Sequence, residues 1–127
     1  MDSFTELTVW KHARDLRKEV SKIAANLPAY EKSRLEDQLI RTSRSVTANI
    51  AEGYGRYHFQ ENIQFCRHSR GSLQELLDHF ICAMDEKYIT REQFKDLANR
   101  QENTLKLLNG YIGYLQRAKK QSKTNNQ

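Results

Sequence analysis

Glu52 and Glu75 are the carboxylates that general acid and base catalysis would use, and His68, Ser72 and Glu75 supply the residue types of a nucleophilic triad. The triad fails on order. At helical spacings i, i+4 and i+7 the serine stands between the histidine and the acid, whereas a triad needs the base between its nucleophile and its orienting carboxylate. A hydrolase built on Glu52 and Glu75 would need a cleft in which one carboxyl is held protonated. Cys66 with His68, and His79 with Cys82, are metal-ligand types, but Cys66 and His68, at i and i+2 of one helix, point about 160° apart and cannot share an ion, and His79 with Cys82 makes only a two-ligand pair. The expectation is no catalytic residue, no metal and no cofactor.

Binding chemistry is better represented. Gly53 to His58 (GYGRYH) mixes glycine, aromatic and basic residues at the end of a helical pattern. The plain reading is a glycine C-cap followed by a loop. Aromatic and guanidinium planes also stack on unpaired bases while arginines meet phosphate, which is the chemistry of single-stranded RNA recognition. No strand precedes the glycines, so a dinucleotide fingerprint is excluded. Arg44, Arg56, Tyr57, His58, Arg67, Arg70, Lys119 and Lys120 are therefore the candidate nucleic-acid contacts. A third group, Gln38, Arg41, Ser45, Asn49 and Glu52, steps by three and four along one strip of a helix. With Glu75 it reads as a structural polar seam, Asn49 and Glu52 satisfying groups on neighbouring helices and fixing register.

These residues must be positioned by helices. One Pro and five Gly are too few for the turn-dense strands of a sandwich or barrel. Four segments carry helical periodicity instead. The first runs on Trp10, Ala13, Leu16, Val20, Ile23, Ala24 and Leu27 and ends at Pro28; the second on Leu35, Leu39, Thr42, Val46, Ile50 and Gly53, with Gly53 and Gly55 closing it in the left-handed conformation. The third uses Phe59, Ile63, Cys66, Leu73, Leu77, Phe80 and Met84 and stops near Lys87. Thr90 with Gln93 forms a capping box, behind which Phe94, Leu97, Gln101, Leu105, Leu108, Ile112 and Leu115 hold a heptad spacing. Short connections force reversal at each turn. The expectation is an all-α, antiparallel up-down-up-down four-helix bundle over residues 1–120, with a polar, disordered tail over 121–127.

Two further stripes fall outside this core pattern: Phe65, Leu76 and Ala83 on the third helix, and Leu107, Tyr111 and Tyr114 on the fourth. Paired second stripes predict an oligomer interface.

At 127 residues the chain has room for one domain. The longest apolar run, Phe80 to Met84, is far short of a membrane span, and Met1 to Ser3 lacks a basic-then-apolar export pattern. Cys66 and Cys82, on one predicted helix about 24 Å apart by rise, are beyond disulfide reach. A cytoplasmic protein with reduced thiols is expected. The net charge of +5 is concentrated: Met1 to Glu102 is balanced, and beyond it lie Lys106, Arg117, Lys119, Lys120 and Lys123 with no acid. Gln38 to Gln74 carries a second excess, with five arginines against Glu52 and Glu61. Polyanions are the partners such patches attract.

Phe4 to Trp10 (FTELTVW), Gln38 to Arg56 (QLIRTSRSVTANIAEGYGR) and Gly71 to Leu77 (GSLQELL) resemble the four-helix-bundle proteins encoded in intervening sequences of bacterial 23S ribosomal RNA genes. The pattern of that family falls on Gln38, Arg41, Asn49, Glu52, Gly53, Gly71, Ser72 and Glu75. Arg44 stands where the family commonly has a small residue, and Thr47 where it often has proline. The resemblance implies a homopentamer of antiparallel bundles and no catalytic residue. The accessory protein of diversity-generating retroelements is similar in fold and assembly, and by that analogy a basic pentamer binding RNA or DNA is expected. The rival expectation is a structural module whose partner is another protein. Neither expectation involves a membrane.

Overall fold

The computed structural model describes residues 3–125. Four helices are present, α1 (Thr8–Ala25), α2 (Leu35–Tyr54), α3 (Phe59–Asp85) and α4 (Arg91–Asn125), with single 3₁₀ turns at Phe4–Glu6 and Ala29–Glu31, and no strand among the described residues. Each boundary has a local cause. Ser3 caps the opening turn through its hydroxyl, and Phe4 packs edge-on against Trp10 at 5.2 Å, so the FTELTVW segment folds back onto the start of α1. Pro28 separates α1 from the Ala29–Glu31 turn. The capping box before α4 forms as expected: Gln93 N–H donates to Thr90 Oγ1 at 3.0 Å and Thr90 N–H to Gln93 Oε1 at 2.8 Å.

The glycines at the end of α2 do not close it in the left-handed conformation. Gly55 caps the helix at φ −76°, and no glycine has positive φ among the described residues. The left-handed residue is Lys87, at φ 62°. It ends α3 in a Schellman turn, with Tyr88 N–H donating to the Ala83 carbonyl and Lys87 N–H to that of Met84, both at 2.9 Å.

The helices pack in cyclic order, α1 on α2, α2 on α3, α3 on α4 and α4 on α1, and the diagonal pairs do not approach. Antiparallel register is set by polar bonds that cross the seams. Ser45 Oγ meets Ser72 Oγ at 2.9 Å, and Ser69 donates to the Val46 carbonyl at 2.8 Å. Arg17 reaches Thr47 Oγ1 at 3.0 Å, and Gln101 donates to the Leu73 carbonyl at 2.8 Å. An all-α antiparallel four-helix bundle results, as expected from the periodicity.

Two sequence expectations need correction here. Leu76 and Ala83, placed on an outer stripe, are 0% and 1% exposed. The core face of α3 is a heptad running Asn62, Cys66, Ser69, Leu73, Leu76, Phe80, Ala83, which leaves Leu77 and Met84 on its flank. The tail expected from residue 121 is helical as far as Asn125; residues 126 and 127 lie outside the described residues.

Candidate functional site

The polar seam divides on inspection. Gln38, Arg41 and Glu75 come together with Thr42 and Ser45 around a shallow groove of about 350 Å³ between α2 and α3. Asn49 and Glu52 do not join it. Asn49 spends its amide on its own helix, donating to the Ser45 carbonyl at 2.9 Å and to Ser45 Oγ at 3.0 Å. Glu52 accepts from Arg56 at 2.7 Å. The bonds that cross the seams come from Ser45, Ser69, Ser72, Thr47 and Gln101; Asn49 reaches the α2–α3 seam through the Ser45 hydroxyl, and Glu52 pairs within its own helix.

The same geometry separates the two carboxylates. Because Ser45 faces Ser72 and Gly53 faces Asn62, Glu52 and Glu75 lie on levels roughly 15 Å apart along the bundle. They cannot share a proton or a reacting atom. Ser72 bonds Ser45, the His68 ring faces Phe65 at 6.3 Å, and Glu75 lies 3.8 Å from His79, so the triad residues each have other partners. Among the described residues no three His, Cys, Asp or Glu side chains come together as metal ligands.

Both thiols are free, Cys66 buried and Cys82 exposed. Burial pushes the Cys66 thiol up to about 11; Cys82 is raised as well, by desolvation and then by the nearby carboxylates of Glu86, Glu31, Asp78 and Asp85. Neither is in the electropositive setting that activates a thiolate.

The basic and aromatic residues concentrate at the end of the bundle that holds the α2–α3 loop and the last turns of α4. Arg67 on α3 and Lys119, Lys120 and Lys123 on α4 line one groove of about 310 Å³, together with Gln60, Ile63 and Gln116. Four cations face it, and among the described residues no carboxylate lines it. Lys119 donates to Gln60 Oε1 and Arg67 to Gln64 Oε1 at 3.4 Å, contacts with neutral amides that leave both charges uncompensated.

Beside it is a concavity of about 200 Å³ lined chiefly by Tyr54, Tyr57, His58, Phe59, Tyr111 and Tyr114. Its rings are ordered in pairs: Tyr111 and Tyr114 stack at 6.3 Å with planes 14° apart, and Tyr57 meets His58 edge-on at 4.9 Å. Asn62, also lining it and almost fully buried, donates to Tyr111 Oη at 3.2 Å. Phe59 and Gln60 are consecutive on α3, as are Leu115 and Gln116 on α4, so the groove and the concavity adjoin on both helices.

The other expected contacts fall elsewhere. Arg56 is committed: it pairs with Glu52 and, at 3.7 Å, with Glu61, and its guanidinium lies 4.8 Å over the Phe65 ring. Arg70 donates to Asn109 across the α3–α4 seam at 3.2 Å, and Arg44 is exposed on α2 away from the groove's lining. Of the expected interface residues, Phe65 is half-buried under Arg56, and Leu107 and Tyr111 pack partly against the core. Tyr114 is 56% exposed. Gln60 and Asn62 carry no sequence signal for a site, and Lys123, part of the carboxy-terminal basic excess, is absent from the candidate contacts. Lys123 was legible, since Lys119, Lys120 and Lys123 continue a helical strip with no Gly or Pro after Gly113 to end it.

Fold and surface together define an antiparallel four-helix bundle whose unusual groups sit on the outside of one end. The chain belongs to the 23S rRNA-intervening sequence protein family, whose model matches residues 5–110. It is also similar to the crystal structure of a protein of unknown function from the S23 ribosomal protein family of Bacteroides thetaiotaomicron, with a TM-score of 0.76 and 21% identity over 83% of this chain and 98% of that one. That likeness supports the fold. No curated protein sequence matches the chain. Among the described residues no helix is long and apolar enough to cross a membrane.

Proposed function

We propose that this protein is a non-enzymatic, self-associating bundle that binds RNA or DNA in the cytoplasm, holding phosphates in the groove of Arg67, Lys119, Lys120 and Lys123. One observation carries the reading: four cations from two helices converge on a concave surface with no carboxylate lining it among the described residues. Scattered surface lysines would reflect solubility alone, whereas converging ones raise the local potential and draw a polyanion. Lys119, Lys120 and Lys123 lie beyond the segment matched by the family model, so the groove is argued from this chain's own residues. A homopentamer, implied by the family resemblance, would repeat the groove around an axis and raise avidity without any new contact.

The test is titration of labelled single-stranded RNA and duplex DNA at about 50 and 200 mM salt, alongside light scattering on the same sample. Binding that weakens steeply with salt is expected, and Lys119→Gln with Lys123→Gln should flatten the dependence by about 0.7 in log–log slope per lost contact on single strands. No binding of either probe at the lower salt leaves the protein-interaction reading in its place.

A further inference from the structure

The aromatic concavity has no role in gripping phosphate. Arg56 on its rim is already neutralised by Glu52 and Glu61, and the remaining lining groups are rings, the Asn62 amide and Leu115. Its volume of about 200 Å³ is below the 300 Å³ or so at which pockets for drug-sized ligands begin, so it fits a single ring system. Two tyrosines offer that ring a platform. Tyr114 is stacked on Tyr111 and 56% exposed, and Tyr57 projects from the α2–α3 loop at 92% exposed. Such exposure leaves tyrosine faces in water that a flat aromatic ligand would cover.

The neighbouring groove says what carries the ring. A planar aromatic group attached to a polyanion is a nucleotide in a strand, and the concavity adjoins the cationic surface at Phe59 and Gln60 on α3 and at Leu115 and Gln116 on α4. We propose that the concavity takes one unpaired nucleobase, stacked between Tyr57 and Tyr114, from a single strand whose phosphates run through the Arg67, Lys119, Lys120 and Lys123 groove. The inference rests on the nucleic-acid reading above and adds to it a preference for unpaired over duplexed bases. A paired base is already stacked on both faces and does not enter; an unpaired one gains the tyrosine surface. Asn62, almost fully buried at the wall of the concavity, donates to Tyr111 Oη and so holds the ring on which Tyr114 stacks.

The experiment compares a uridine-rich RNA of about 12 nucleotides with a duplex of equal length, on wild type, on Tyr57→Ala with Tyr114→Ala, and on Tyr57→Phe with Tyr114→Phe. Both tyrosines are exposed, so the alanine variant should keep the wild-type circular dichroism and mass. Stacking one base predicts that it weakens single-strand binding by about 10-fold or more, with duplex binding and the salt slope unchanged, and that the phenylalanine pair restores wild-type affinity. Equal single-strand affinity for wild type and the alanine variant overturns the base pocket while leaving the phosphate groove standing, which the lysine variants then show separately. Loss of mass together with equal loss for both probes also overturns it, because the tyrosines would then belong to a contact between copies. Should wild type bind neither probe, the pocket and the nucleic-acid reading fall together.

Discussion

Gly53 on α2 lies so close to Asn62 on α3 that a Cβ on the glycine would stand 2.6 Å from Asn62 Oδ1 and 3.0 Å from the Asn62 carbonyl oxygen. The close approach explains the glycine, since no left-handed backbone requires it there. It also ties the α2–α3 seam to the aromatic concavity, because the same asparagine donates to Tyr111 and accepts from Cys66 Sγ at 3.5 Å.

Gly53→Ala must therefore push a backbone carbonyl and the Phe65 Cβ, at 3.0 Å, as well as a side chain that is already bonded. Overpacking of this kind costs about 1–3 kcal/mol, partly offset by the better helix propensity of alanine, so a net loss of about 1–2 kcal/mol is expected. Gly71→Ala is the control: nothing lies within 4 Å of its Cβ position, and it should gain about 0.5–1 kcal/mol. Urea titration of both variants checks the pair. A stabilised Gly53→Ala protein would contradict the close approach.

Lys87 carries the backbone strain expected of a glycine. At φ 62° its Cβ crowds the following carbonyl, which costs an L-residue about 1–2 kcal/mol. Lys87→Gly should raise the melting temperature, the gain being reduced to about 1 kcal/mol or less by the greater freedom of glycine in the unfolded chain. A lower melting temperature would mean that the lysine side chain contributes more than the strain costs.

The Cys66 thiol gives stability a pH dependence of known sign. Its folded pKa is raised by burial to about 11 from an ordinary 9.0, so above pH 9 the unfolded chain releases a proton that the folded one keeps. Proton binding is then smaller in the unfolded state, and stability falls as pH rises from about 9 to 11, by up to about 3 kcal/mol. Below 9 this contribution is fully present. Other groups titrate in the same window, so the comparison is with Cys66→Ala, whose stability should decline less steeply there. Parallel pH profiles for the two proteins would show that the thiol is not the group responsible.

The seams explain which parts of this bundle the sequence reveals. On α2, the expected Leu35, Leu39, Thr42, Val46, Ile50 and Gly53 are all buried, because apolar or small groups occupy the whole stripe. On α3 the heptad is interrupted by Asn62 and Ser69, polar residues that hydrophobic periodicity counts as exterior. Both are satisfied across a seam, Ser69 by the Val46 carbonyl and Asn62 by Tyr111, and neither partner is adjacent in sequence. A face chosen by hydrophobicity alone therefore turns toward Leu77 and Met84 and leaves the buried Leu76 and Ala83 outside. Thr104 on α4 misleads in the same way, being 1% exposed where the heptad favoured the half-buried Leu105. The basic groove was half legible, Arg67, Lys119 and Lys120 being evident from charge, but the convergence of two helices upon it depends on register that no local pattern carries.

That corrected face changes how self-association must be tested. Leu76 and Ala83 are enclosed by their own chain, and Tyr111 is held by Asn62, so substituting them would damage the bundle before any contact between copies. Leu107 too packs partly against the core. The expected interface residue that remains well exposed is Tyr114, and Ile81, 40% exposed toward the opposite end of α3, is a large apolar side chain outside both concavities. A ring closes through a heterologous contact, one patch meeting a different one on the next copy. If a large surface of this kind assembles the protein, the wild type should scatter light as an oligomer, with a mass independent of salt, because apolar burial is not screened as exposed charge is. Ile81→Ser should reduce that mass if the contact lies on the outer face of α3, while Tyr114→Ser should do so if it lies at the basic end. Helix content should stay at the wild-type level in both. A wild type that scatters as a 15.0 kDa monomer at every concentration defeats the self-associating half of the proposal, and the four cations of the groove would then have to bind a polyanion as a single copy.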